Sequence, residues 1–138
     1  MSYSIANLTQ VTDCNALLAW AARERADLNY KKITNERVTQ KYAETAVGLE
    51  AEIQGVVAEI AATETIIAAL PEGPSKEAQM DKKTRLEYRK FVLENRKENY
   101  GTVALLQKES ELGRIDREIA EVDAFVAAVE ARITSLAA

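Results

Sequence analysis

The sequence predicts an all-α fold, a long antiparallel helical hairpin of the coiled-coil type. Its composition favours helix, because alanine and straight-chain residues dominate while only five glycines and two prolines occur in 138 residues. Apolar residues recur at alternating spacings of four and three in both halves of the chain. Both prolines, Pro71 and Pro74, lie together near the middle, where one turn would separate two arms of similar length.

The first arm is predicted over residues 12–70. Its clearest part is a set of positions with the four-three spacing, which we call the seam: Tyr42, Ala46, Leu49, Ile53, Val56, Ile60, Thr63, Ile67 and Leu70. Such a seam is typical of helices that pack along their length. Residues 29–41 are polar and lose it, and Thr34 fits an N-cap with a hydrophobic staple between Ile33 and Val38. A break near residue 33 would give a three- or four-helix bundle, and the sequence leaves both versions open.

The connection is predicted at residues 71–75. Pro71 cannot continue a helix, because it lacks the amide hydrogen and clashes with the preceding turn. Gly73 can adopt positive φ without steric cost, and Ser75 is the expected N-cap of the second arm. No glycine-rich loop followed by lysine and a hydroxyl is present, so the segment is a turn and not a phosphate-binding loop.

The second arm is predicted over residues 76–137, which completes one domain spanning 1–138. Its seam departs from apolar character only at Lys108: Leu105, Lys108, Leu112, Ile115, Ile119, Val122, Val126, Val129, Ile133 and Leu136. Gly101 follows a polar stretch and is the candidate position for a kink. In length and hairpin pattern the chain resembles helical-hairpin stalks such as prefoldin subunits or small export-stalk proteins of secretion systems, a resemblance of architecture that implies no residue role.

The residue types argue against an enzyme. The chain has no histidine, the side chain most used in acid–base catalysis near neutral pH and a usual zinc or iron ligand. Cys14, the only cysteine, shares an apolar face with Leu18 and Ala21, so we expect a buried thiol. The carboxylates lie largely off the seam. The sequence therefore predicts no catalytic residue, no cofactor and no metal site.

Composition also suggests the compartment. No apolar stretch approaches the roughly 20 residues of a membrane span, and the first residues do not resemble a signal peptide. A single cysteine cannot form an internal disulfide. We therefore expect a cytoplasmic protein.

Paired apolar residues suggest a partner surface. A single seam buries one member of each adjacent apolar pair, so a lone hairpin would leave the other member in water. The expected partner is a second copy, in a homodimer or higher oligomer, and another helical protein is a further candidate. The candidate interface residues are Leu18, Trp20, Val57, Ile66, Leu106 and Phe125. Trp20 and Phe125 are expected to pack together across the hairpin.

A basic stretch lies at residues 82–90 and carries five cations: Lys82, Lys83, Arg85, Arg89 and Lys90. We interpret it mainly as charge matching to the acidic segment between Lys41 and Lys76. Glu64 should then lie near residues 81–85, and Glu59 near Arg85 or Arg89.

The sequence as a whole predicts a non-enzymatic helical interaction or structural module that self-associates through its apolar heptad faces. The alternative is a protein that binds nucleic acid or another anionic surface through residues 82–90. The net charge of −4 argues against nucleic acid as the main partner.

Overall fold

The computed structural model describes residues 2–138 and shows a helical hairpin. A short 3-10 turn at Ile5–Asn7 precedes helix α1 (Val11–Ala69), which is followed by α2 (Pro74–Tyr100) and α3 (Thr102–Ala137). Helix α1 packs antiparallel against the second arm, so the predicted hairpin is confirmed. The bundle alternative does not form, because α1 runs without a break through residues 29–41.

The polar segment stays helical because the seam continues through it with polar side chains. Lys32, Asn35 and Thr39 continue the four-three spacing and are half-buried. The Nζ of Lys32 lies 2.9 Å from Asp116 Oδ1 on α3. The side-chain amide of Asn35 donates to the carbonyl of Lys31 at 2.9 Å. The expectation that the spacing is lost here is therefore wrong, since the polarity of the seam changes but its period does not.

The turn lies where the prolines predict it, but the second arm starts earlier than predicted. Gly73 is the N-cap, with φ of 152°, in the region that favours glycine. Pro74 takes the first helical position, where its missing amide hydrogen would have had no partner in any case. The prediction of Ser75 as N-cap is wrong, because Pro74 already starts the helix and places Ser75 inside it.

Gly101 interrupts the second arm between α2 and α3. Its amide donates to the carbonyl of Lys97 at 2.7 Å, and its own carbonyl accepts from Leu105 at 3.0 Å. The α3 seam, continued backwards with the same spacing, would reach Glu94, which is exposed, whereas α2 buries the neighbouring Leu93. The two helices are therefore out of phase by one residue, and the break at Gly101 absorbs the difference.

Contacts within the chain cluster in two units. Unit 1 comprises the chain up to Val38 together with Glu109–Ala138, and unit 2 is Thr39–Lys108. The core of unit 2 consists of Leu49, Ile53, Val56, Leu86 and Leu93, with Ile60 packed against it. Unit 1 buries Cys14, Ala21, Leu28, Ile119 and Val129, which confirms the expected burial of the thiol. The single-domain organisation stays a prediction.

Candidate interaction surfaces

Three aromatic rings meet in unit 1. Trp20 and Phe125 form an edge-to-face pair with ring centroids 5.9 Å apart and an interplanar angle of 87°. Tyr3 meets Phe125 in the same manner at 5.1 Å. The predicted packing of Trp20 on Phe125 is confirmed. Trp20 nevertheless keeps 46% of its surface exposed, so the indole is partly accessible to solvent.

Residues before α1 hold Tyr3 in this cluster. The guanidinium of Arg132 donates from Nε to the carbonyl of Leu8 at 2.8 Å and from Nη2 to that of Ala6 at 3.2 Å. The Tyr3 hydroxyl donates to the carboxylate of Glu121. This hydrogen bond raises the pKa of Tyr3, and burial and the negative charge of Glu121 raise it further. Sequence reasoning missed Tyr3 and Arg132, because the residues before α1 have no periodicity to predict where they pack.

The three aromatic rings line an open concavity of about 310 Å³, which we call the aromatic groove. Its lining residues are Tyr3, Trp20, Glu24, Leu28, Glu118, Glu121, Val122 and Phe125. Three of them are carboxylates and none is a cation. The groove therefore combines aromatic and aliphatic walls with negative charge, which is a suitable environment for a cation carried on an apolar stem.

An apolar row runs along α2 in unit 2. Met80, Tyr88 and Phe91 are 51%, 70% and 58% exposed. Their spacing, with Thr84 between the first two, places them on the side of α2 opposite the buried Leu86. We call Met80, Thr84, Tyr88 and Phe91 the apolar row. The predicted interface residues include none of these side chains. Sequence reasoning sought adjacent apolar pairs, so it missed Met80 and Tyr88, which polar residues flank, and it did not select the pair Phe91–Val92.

The predicted interface residues divide between the two units. Trp20, Val57, Ile66 and Leu106 are exposed, as a partner surface requires. Leu18 and Phe125 are half-buried, and Phe125 is largely occupied by its contacts with Trp20 and Tyr3.

Ion pairs join the two arms within unit 2. Lys83 Nζ lies 3.3 Å from Glu64 Oε1, which confirms the expected neighbourhood of Glu64. Lys97 Nζ lies 2.8 Å from Glu50 Oε2, a pair that the sequence did not single out. Within residues 2–138, no ion pair connects Glu59 to Arg85 or Arg89. Charge matching between the arms thus accounts for part of the basic stretch only. Another of its members, Lys90, pairs with Glu94 on its own helix at 3.9 Å.

The unmatched cations lie on one side of α2. Lys82, Arg85, Arg89 and Arg96 follow at intervals of three, four and seven residues, and all four are exposed. We call them the basic row. In the described part of the chain none of the four forms an ion pair. Arg96 lies outside the predicted stretch, although its position seven residues after Arg89 could have revealed it.

Other site classes have less support. In the part of the chain that the structure describes, no three acidic or thiol side chains converge as metal ligands. Among the helices described, none has the length and apolarity needed to cross a bilayer. Comparison with protein-family models, with curated proteins and with solved structures gives no match.

Proposed function

We propose that this protein is a non-enzymatic helical module that self-associates by burying the apolar row of α2 against a second copy. The observation that carries the proposal is the exposure of Met80, Tyr88 and Phe91 on one side of a helix whose opposite side already forms the core. Contiguous apolar surface of this kind marks interaction sites on soluble proteins.

The chemistry of the row suits a helical partner. Tyr88 and Phe91 are large aromatic side chains, which commonly anchor protein interfaces. Thr84 is small and lies between Met80 and Tyr88, so it leaves a depression into which a partner's side chain can fit. A second copy presents the same row, and a two-fold symmetric dimer buries both rows at once. Another helical protein with a matching apolar face is the competing partner.

A cytoplasmic location is part of the proposal. Its support is the single cysteine, Cys14, which is a free and buried thiol. An unpaired thiol fits a reducing compartment.

Sedimentation analysis tests the proposal. The wild type is expected at a multiple of its 15.3 kDa chain mass at micromolar concentration. Replacing Tyr88 and Phe91 by glutamate should give a monomer that keeps its helical circular dichroism, because both positions are exposed. The matched control replaces Tyr30 and Ile33 by glutamate, since these residues of unit 1 are also exposed and also three residues apart. A monomeric wild type, or equal effects of the two double variants, would contradict the proposal.

The basic row favours a second candidate function, binding of a polyanion such as duplex DNA or an anionic membrane surface. Its four exposed cations have no carboxylate partner in the described structure. Phosphate binding of this kind weakens steeply with salt. This candidate gains support if wild-type protein binds duplex DNA or anionic vesicles at low salt and the variant with Arg85→Glu and Arg89→Glu does not.

A further inference from the structure

The aromatic groove of unit 1 carries negative charge that the described structure does not neutralise. Glu24 and Glu118 line it and form no ion pair within residues 2–138. Glu121 accepts a hydrogen bond from the neutral Tyr3 hydroxyl, which leaves its charge in place. The groove thus presents three carboxylates beside the partly exposed indole of Trp20.

These properties select the occupant by chemistry. A purely apolar side chain would cover the aromatic walls but remove water from carboxylates without replacing its hydrogen bonds, which is costly. An anionic group would be repelled. A lysine or arginine side chain can lay its aliphatic stem along Leu28 and Val122 and place its charge near the rings and carboxylates. Arginine is the better fit, because its planar guanidinium stacks on aromatic faces and binds carboxylates with two donors.

The basic row offers side chains of this type. Arg85 and Arg89 are exposed, lie one helical turn apart and have no ion-pair partner in the part of the chain that is described. We propose that the aromatic groove of one copy binds the basic row of a second copy, with Arg85 and Arg89 as the inserted cations. The inference rests on the proposed self-association and adds a contact that the apolar row does not make. Groove and row are different surfaces, so this contact is heterologous and can continue from copy to copy.

Trp20 provides a reporter inside the groove, since it is the only tryptophan of the chain. A low concentration of wild-type protein is mixed with increasing amounts of a Trp20→Phe chain, which does not contribute tryptophan fluorescence but keeps an intact basic row. Insertion of an arginine displaces water from the indole, so the emission maximum of Trp20 should shift to shorter wavelength in a saturable titration. Added salt should weaken the titration, because the contact is charged.

Two charge reversals in the added chain provide the comparison. With Arg85→Glu and Arg89→Glu, the apparent affinity should fall roughly tenfold or more. With Arg37→Glu and Lys41→Glu it should stay unchanged. This control pair has the same spacing, exposure and charge change, and also has no ion pair in the described structure. The reverse change can be made in the chain that carries Trp20. With Glu24→Lys and Glu118→Lys in that chain, the Trp20 emission shift should be lost when the added chain has Arg85 and Arg89. The shift should return when the added chain carries Arg85→Glu and Arg89→Glu.

The outcomes separate this inference from the proposed function. If sedimentation shows association while Trp20 does not respond, the groove inference is overturned and the proposed function stands. If Tyr88→Glu with Phe91→Glu leaves the mass unchanged while the Trp20 shift persists, the proposed apolar contact is wrong and the groove contact stands. Equal losses from both reversed pairs would show a nonspecific charge effect and overturn the inference. A wild type that is monomeric at every concentration overturns both.

Discussion

Lys97 on α2 and Glu50 on α1 lie 2.8 Å apart, measured from Nζ to Oε2, and connect the two arms of unit 2. Gln54 also donates to Glu50, at 3.4 Å. The hydrogen bond from Lys97 lowers the pKa of Glu50, with smaller contributions from Gln54 and from the positive charge of Lys97. Lys83 and Glu64 pair in the same register of the two arms. These pairs favour one alignment of α1 against α2.

The Glu50 pair predicts a pH dependence of stability. The folded pKa of Glu50 lies below the ordinary value of 4.5, so its stabilising contribution is present above that pH. The contribution is lost as the pH falls through the folded pKa. We therefore expect the melting temperature of wild type to fall more between pH 5 and pH 3 than that of Lys97→Gln, measured by circular dichroism. Lys82→Gln, which removes a cation without an ion pair in the described structure, should behave like wild type. An equal fall in melting temperature between pH 5 and pH 3 for wild type and Lys97→Gln would refute the prediction.

A charge reversal in the Lys83–Glu64 pair should lower stability, and a second reversal in its partner should restore part of the loss. Lys83→Glu places a carboxylate beside Glu64 and should lower the free energy of unfolding by about 0.2–1 kcal/mol, the range for exposed pairs. Adding Glu64→Lys should restore part of the loss, as urea unfolding can show. Arg85→Glu is the control, because Arg85 has no cross-arm ion pair among residues 2–138. A loss from Arg85→Glu as large as that from Lys83→Glu would argue against pair-specific matching.

Thr63 is a polar residue on the seam of α1, and it is 1% exposed. Its hydroxyl donates to the carbonyl of Glu59 at 2.8 Å. Valine has nearly the same shape without a hydroxyl to bury, so Thr63→Val should raise the free energy of unfolding by about 1 kcal/mol. Thr65 makes the same kind of bond, to Ala61 at 3.1 Å, but is exposed, and Thr65→Val should change little. A loss of stability in Thr63→Val would mean that the hydroxyl is required for packing.

Two glycines of the second arm should respond in opposite directions to alanine. At Gly101, an added Cβ would overlap the carbonyl oxygen of Lys97 and come within 2.7 Å of its Cγ. Gly101→Ala should therefore destabilise the protein by about 1–3 kcal/mol. At Gly113 a Cβ meets nothing within 4 Å, so alanine should stabilise α3 by about 0.5–1 kcal/mol. Thermal unfolding of both variants checks this, and a stabilised Gly101→Ala would show that α2 and α3 can join without cost.

The sequence predicted the hairpin because the seam period and the proline cluster are both local signals, and the structure follows them. It left open whether the first arm breaks within residues 29–41. The four-three spacing continues there through Lys32, Asn35 and Thr39, but a search for apolar residues does not detect these polar positions. The start of α2 was misplaced because Pro74 competes with Ser75 for the beginning of the helix. In the aromatic groove, the contact between Trp20 and Phe125 was predictable, because a turn at residues 71–75 places these two positions opposite each other in the two arms. Tyr3 was not, because its partners Glu121 and Phe125 are remote in sequence and no periodicity before α1 indicates that they meet.

The unbroken period of α1 has a consequence for the length of the arms. From Cys14 to Leu70 every position of the four-three spacing is buried or half-buried. Seven residues make two turns of such a helix. One heptad could therefore be added to α1 between Glu50 and Glu64, and one to α2 between Lys83 and Lys97. The other side chains of the seam would stay on their present faces. Each such addition would lengthen both arms by about 10 Å. The hairpin is in this sense modular, since the length of each arm can change by whole heptads while the side chains of the seam keep the face on which they pack.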